Sequence, residues 1–174
     1  EITNDVSYVY DPIGTISIDV SGGSDITDVS FSVNGESFDG NLYAPTVGSY
    51  TIIATKDGSL NYFDISDSHD IVITPATQSS FEITNDISYE YNPIGTINID
   101  VSGGSSTGDV SFSVNGESFD GSLYAPNVGS YTIIATKDGS LNYFDISDSH
   151  DILITPVPQA SFDITNDISY VYDP

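Results

Sequence analysis

The chain has 174 residues, no cysteine, and two Lys/Arg against 26 Asp/Glu, a formal charge of −24. That balance excludes nucleic acid, whose binding needs basic side chains to neutralise phosphate, and excludes anionic membrane surfaces on the same ground. No run approaches the roughly 18 apolar residues of a membrane span, so membrane insertion of this segment is not expected.

Acidity of this degree can signal disorder, but Phe and Tyr are frequent and Ile and Val recur in alternating runs, which disordered chains avoid. Internal repetition decides the organisation. ITNDVSYVYDP from Ile2 returns at Ile83 and again at Ile164, and residues 82–162 repeat residues 1–81 with about thirteen differences. A fixed period of this length marks a tandem array. The expected units are a module over 1–77, a second over 78–158, and the first strand of a truncated third repeat over 159–174. A domain of about 80 residues hides only about 60–65% of the surface of its unfolded chain and leans on disulfides, metals or neighbours. Without cysteine, neighbours and ions are left.

From Ile2 the apolar side chains fall at even positions, Ile2, Val6, Tyr8 and Tyr10, which predicts one half-buried strand ending at Asp11-Pro12. A second strand follows with Ile16, Ile18 and Val20 inward, closed by Ser21-Gly22-Gly23-Ser24. The copies differ most over 25–28, a solvent-facing loop. Val29, Phe31 and Val33 make a third strand running into Asn34-Gly35, the strongest two-residue hairpin signal. Phe38 and Leu42 are assigned to a short return strand. Gly48 to Thr55 carries Tyr50, Ile52 and Ala54 on one face and Ile53 on the other, the mark of a central strand. Lys56-Asp57-Gly58 turns the chain, and Leu60, Tyr62 and Phe63 are expected to repack onto the core. Asn61 to Ser66 could hold one helical turn, Ile65 to Ile73 form the last strand, and Thr74 to Ser80 is a short linker. The unit is thus all-β, with six or seven strands.

Tyr10-Asp11-Pro12, Val29 to Gly35, Ala44-Pro45 with Gly48 to Thr51, and Lys56-Asp57-Gly58 before Asn61-Tyr62 recur in the second copy at Tyr91 to Pro93, Val110 to Gly116, Ala125-Pro126 with Gly129 to Thr132, and Lys137 to Gly139. This pattern resembles the MBG ("mostly β-grasp") modules that occur in tandem in bacterial surface proteins. The resemblance implies small β-grasp-like domains and an extracellular setting. An immunoglobulin-like β-sandwich is the alternative fold, since short strands at regular spacing describe it equally well.

Ser66 to Asp70, SDSHD, brings Ser, His and Asp together, but adjacent strand residues alternate faces and cannot form a catalytic relay. Asp64-Ile65-Ser66-Asp67-Ser68 matches an integrin-type metal pattern without the parallel sheet edge that motif needs. Calcium is the one candidate ion, because hard oxygen ligands are closely spaced. The candidate ligands are Asp64, Asp67 and Asp70 with their copies Asp145, Asp148 and Asp151; Asp5 and Asp11 lie near the expected junction. Solvated outward carboxylates explain the same pattern. Lys56 and Lys137 stand at equivalent turn positions, which disfavours an isopeptide crosslink, and most of the twelve Tyr fall at inward positions suited to a core rather than a sugar-binding surface.

The sequence therefore reads as a non-enzymatic structural segment of an extracellular adhesin stalk or filament that spaces other domains. Its expected partners are neighbouring repeats and, through the terminal strand, adjacent copies in a fibre. A repeated binding module for carbohydrate or protein ligands is the second reading.

Overall fold

The computed structural model describes residues 1–24, 27–163, 165 and 171–172. Among them there is no helix. The first module contains β1 (Ser7–Val9), β2 (Thr15–Ser17), β3 (Val29–Val33), β4 (Glu36–Phe38), β5 (Asn41–Tyr43), β6 (Gly48–Lys56) and β7 (Ile65–Thr74). The second contains β8 (Phe81–Ile83), β9 (Ser88–Glu90), β10 (Thr96–Asn98), β11 (Val101–Gly103), β12 (Val110–Val114), β13 (Glu117–Phe119), β14 (Ser122–Tyr124), β15 (Gly129–Lys137) and β16 (Ile146–Thr155).

Each module has one large and one small sheet. In the first, the order β1-β7-β6-β3-β4 is antiparallel throughout except for β1, which lies parallel to β7. The facing layer is β2 paired antiparallel with β5, extended by an Ile2–Val20 bridge. The second module repeats this as β9-β16-β15-β12-β13 opposite β10–β14 and β8–β11. Two layers of short strands, with the opening segment shared between them and the chain crossing from one to the other between β4 and β5, are an all-β immunoglobulin-like sandwich. Ile52 and Ile71 of the large sheet, both fully buried, meet Ile2, Ile18 and Leu42 of the small one, and Ile133 and Ile152 do the same opposite Ile83, Ile99 and Leu123.

β6 is central, as its two apolar faces predicted, and Asn34 (φ 49°) and Gly35 (φ 90°) turn the β3–β4 hairpin in the left-handed region. The single opening strand is a different matter. Ile2 belongs to the small sheet and β1 to the large one. The step between them is made by Asn4, whose Nδ2 donates to the Ser17 carbonyl (2.8 Å) and Tyr8 Oη (3.3 Å) while its Oδ1 accepts from the Asp19 N–H (2.8 Å). One amide side chain thus replaces a stretch of ladder, and Val6, expected inward, is exposed at the crossing. Phe38 and Leu42 likewise part company: β4 pairs with β3, and after Gly40 β5 joins β2. Leu60 and Phe63 do not repack onto their own core; they are 99% and 97% exposed, and Tyr62 is exposed beside them. The segment after Lys56 is a tight loop closed by the Ser59–Tyr62 bridge rather than a helical turn. The expected strand of the third repeat falls largely on residues outside those described.

Asn85 repeats the crossing in the second module, bonded to the Asn98 carbonyl, Tyr89 Oη and the Asp100 N–H. Asn85→Ala should destabilise that module by about 0.5–1.5 kcal/mol, the net worth of partly exposed hydrogen bonds, and leave the first unchanged. Hydrogen exchange resolved by module reads this out; equal loss of protection in both modules would contradict it.

Candidate functional site

The six aspartates expected to hold calcium are dispersed by the strand geometry. Asp67 and Asp70 sit on opposite faces of β7 because side chains alternate along a strand. Asp67 Oδ2 accepts from the Ile2 N–H (2.7 Å), Asp70 Oδ1 from Thr51 Oγ1 (2.7 Å), and Asp64 Oδ1 from the Gly58 N–H (2.9 Å). The second module matches: Asp148 with the Ile83 N–H (2.8 Å), Asp151 with Thr132 Oγ1 (2.7 Å) and Asp145 with the Gly139 N–H (2.7 Å). Each carboxylate anchors a separate piece of backbone or a strand pair. Among the described residues no three His, Asp or Glu side chains are brought together as a metal cluster. His69, in register with Ile52, points into the sandwich with its Nε2 buried and unbonded, and His150 repeats this. The turn lysines donate to loop carbonyls, Lys56 Nζ to Thr27 at 2.7 Å and Lys137 Nζ to Gly108 at 3.5 Å.

What the fold does bring together is the junction of the two modules. Gln78, in the middle of the expected linker, is buried at 7% exposure. Its Nε2 lies within bonding distance of the Phe144 (2.9 Å), Lys137 and Asp138 carbonyls (both 3.3 Å), and its Oε1 accepts from the buried Ser106 N–H (3.0 Å). Three residues on, Phe81 enters the second core. Two residues before Gln78, Ala76 forms a short parallel ladder with the 142–144 loop: its N–H donates to the Asn142 carbonyl and its carbonyl accepts from the Phe144 N–H, both at 3.0 Å. The first module then meets that loop directly. The Val47 N–H donates to Asn142 Oδ1 (3.0 Å), and the rings of Tyr10 and Tyr143 pack edge to face with centroids 5.4 Å apart.

Gly104 (φ 77°) is required at this point: a Cβ there would fall 2.4 Å from Lys137 Cδ and 3.1 Å from Gln78 Oε1. Gly103 (φ 85°) leaves room for the Ser80 carbonyl, which a Cβ would meet at 1.8 Å. Sequence reasoning passed over Gln78, Asn142 and Tyr143. A signal was present, since Gln78 returns as Gln159 while Ala76, Thr77 and Ser79 become Val157, Pro158 and Ala160.

No protein-family model matches the chain, and no curated protein matches it. Among solved structures, it resembles the fibronectin(III)-like modules of CbhA from Clostridium thermocellum at 16% identity, covering 94% of this chain and 99% of that one, with a TM-score of 0.38. Titin domains Z1Z2, solved in complex with telethonin, align at 14% identity over 91% and 97% of the two chains with a TM-score of 0.46. The insect immune protein hemolin aligns at 13% identity over 90% of this chain and 46% of its own, TM-score 0.40. The fold assignment rests on the strand pairing; the low overall scores add nothing to it.

Two outcomes follow from this geometry. The Ile2 N–H bond holds the Asp67 carboxyl below the usual carboxylate range, with the Ser68 N–H as a smaller contributor. A depressed folded-state pKa adds stability that is complete above the unfolded value of about 3.9 and is lost as pH falls through the folded one. Asp67→Asn should therefore lower the melting temperature at pH 7 and flatten its fall between about pH 5 and pH 2; an unchanged acid limb would refute the assignment. Gln78→Ala should open the junction while both modules stay folded, raising amide exchange at Ser106 and Phe144 by an order of magnitude or more, as for lost buried bonds worth about 1–3 kcal/mol.

Proposed function

We propose that this chain is a structural spacer, a tandem-repeat segment of an extracellular surface protein that holds other domains apart as a stalk or filament, with no catalytic role. The observation that carries the reading is the junction: a linker hydrogen-bonded to the second module through Ala76 and the buried Gln78, with Val47 and Tyr10 of the first module meeting Asn142 and Tyr143 of the second, turns two small domains into a unit of defined orientation. Repeat arrays gain length by adding such nearest-neighbour contacts. The MBG-type membership suggested by the Tyr-Asp-Pro and Val-Asn-Gly punctuation fits this role and rests on those residues alone.

The net charge of −24 places many carboxylates on outward strand faces, where counter-ions rather than built ligand shells relieve repulsion. Calcium acts here as one screening ion among others, at Asp64, Asp67, Asp70 and their copies as elsewhere. The binding-module reading draws on a cleft of about 370 Å³ beside Tyr89 and Ile97 and its counterpart of about 210 Å³ beside Tyr8 and Ile16, the same place in both modules.

Small-angle X-ray scattering of dilute protein tests the spacer. A compact 174-residue globule has a radius of gyration of about 16 Å, whereas two modules end to end give about 23–25 Å from the strand lengths. The longer radius is expected in calcium and in chelator alike, and the melting temperature should climb smoothly with sodium or calcium without a stoichiometric step. A compact particle would overturn the spacer and favour the clefts. Extension only in calcium would instead make the aspartates working ligands.

A further inference from the structure

The cleft that both modules carry is a product of the switch between sheets. In the second module the Asn85 amide extends the pairing along β10 only as far as the Asn98 carbonyl. Beyond that point the opening segment has left to run beside β16, and a gap remains between β9 and β10. Gly95 accepts from the Ala125 N–H and Ile99 donates to the Gly121 carbonyl, so both turn toward β14. Backbone groups alternate along a strand, and Thr96 therefore points its N–H and carbonyl the other way, toward the gap. Tyr89, Ile97 and Pro126 form a half-buried apolar side. Tyr89 Oη accepts from Asn85 Nδ2 and from the Asp86 N–H, both at 3.3 Å, and keeps its own O–H to donate. Tyr8, Ile16 and Pro45 repeat the frame in the first module.

The side chains mounted on that frame are not repeated. The copies are almost identical, yet Glu90, Asn92 and Asn98 line the second cleft where the first module has Val9, Asp11 and Ser17. The exchange at Asn98 is compensated across the sheet. Ser17 Oγ donates to Asn41 Oδ1 (2.7 Å) between β2 and β5, and Ser122 Oγ donates to Asn98 Oδ1 (3.0 Å) between β14 and β10. The bond is kept while the carboxamide moves to the strand that borders the cleft. Asn92 Oδ1 is likewise occupied, by the Ile94 N–H at 3.1 Å. Among the described residues this leaves the Nδ2 donors of both asparagines to a ligand. Charge is unaltered, since a carboxylate gained at Glu90 offsets the one absent at Asn92. Small-ligand sites span about 300–1,000 Å³; the second cleft, at about 370 Å³, reaches that range and the first, at about 210 Å³, does not.

We infer that the cleft of the second module binds a neutral, ring-sized sugar through its hydroxyl groups. A cation would meet the same charge in either cleft. What only the second offers is two amide donors beside the carboxylates of Glu90 and Asp100, so that each hydroxyl of a diol accepts from an amide and donates to a carboxylate. The C–H face of the ring lies on the apolar side formed by Tyr89, Ile97 and Pro126, and the carboxylates repel anions. The polar groups are exposed and already hydrated, which limits the affinity to the millimolar range, about −4 kcal/mol. This inference rests on the binding-module reading and narrows it to one module and one class of ligand; the spacer reading is decided separately, by the scattering radius.

The test is a heteronuclear NMR titration of the whole chain with the methyl glycosides of glucose, galactose and mannose and with N-acetylglucosamine, each to about 50 mM, well above a millimolar dissociation constant. At least one should give saturable shifts at the Thr96 and Asn98 backbone amides and the Asn92 and Asn98 side-chain amides, with none at Thr15 and Ser17. The variant Glu90→Val/Asn92→Asp/Asn98→Ser/Ser122→Asn gives the second cleft the side chains of the first, a set already present in a folded module, and should weaken binding about tenfold, as for a lost net hydrogen bond or two. The reciprocal Val9→Glu/Asp11→Asn/Ser17→Asn/Asn41→Ser should confer shifts at Thr15. No shift with any of the four sugars, binding unchanged by the first exchange, or a first cleft still silent after the second would each overturn the inference. Equal shifts at both clefts of the wild type would overturn it too, while leaving the binding-module reading in place.

Discussion

The interaction on which the rest depends is the burial of one neutral amide. A carboxamide removed from water costs free energy unless its donors and acceptor are satisfied, and Gln78 meets that demand only by drawing three carbonyls and one amide around itself. Those partners belong to three separate loops of the second module, so a single side chain ties the linker to the ends of β11, β15 and the Asn142–Phe144 loop. Once the linker is fixed, Phe81 has no choice but to enter the core, and the first module is held close enough for Tyr10 and Val47 to reach across. The order of dependence runs from a hydrogen-bond requirement to a packed core and then to a module orientation.

The aspartates follow the opposite logic. They cannot be buried as charges without compensation, so the chain spends them locally as acceptors for N–H and O–H groups at turns and strand edges: Asp67 for the Ile2 N–H, Asp39 for the Asn41 N–H and the Tyr43 hydroxyl, Asp11 for the Ile13 N–H. Such bonds terminate turns and pin edges without needing a positive partner. That explains how a chain with two basic residues can carry 26 acidic ones and still close two sandwiches.

Much of the fold was legible because strands announce themselves by alternation. The β3–β4 hairpin, the central position of β6 and the span of β7 all follow from side-chain period and turn chemistry. The sheet assignment did not, and for a physical reason. Period 2 tells which residues share a face, but the even apolar positions resume at Val6 after the one polar gap at Asn4, and alternation alone does not say that Asn4 carries the chain from one sheet to the other, its amide standing in for backbone pairing. Leu60, Tyr62 and Phe63 misled for a related reason: apolar character says that a residue favours burial without saying whose surface provides it. Tyr143 finds its cover on the preceding module, and no pattern within one repeat could reveal that. The aspartates at 64, 67 and 70 are neighbours in sequence whose strand geometry separates them, so spacing suggested a ligand set that the fold divides among three tasks.

The parallel pairing of β1 with β7 bears on how the molecule would carry tension. β1 lies near the start of the first module and β7 ends it, and they lie side by side in the same direction, with the Val6 carbonyl bonded to the Val72 N–H and the Tyr10 N–H to the Thr74 carbonyl. A pull on the two ends of a module draws one strand against the other along their length, so these bonds are loaded together in shear and none can open ahead of the rest. The second module has the same clamp in β9 and β16. A rope made of such units resists stretching through its covalent ends and its hydrogen bonds in series, and each link yields, if at all, in a single step.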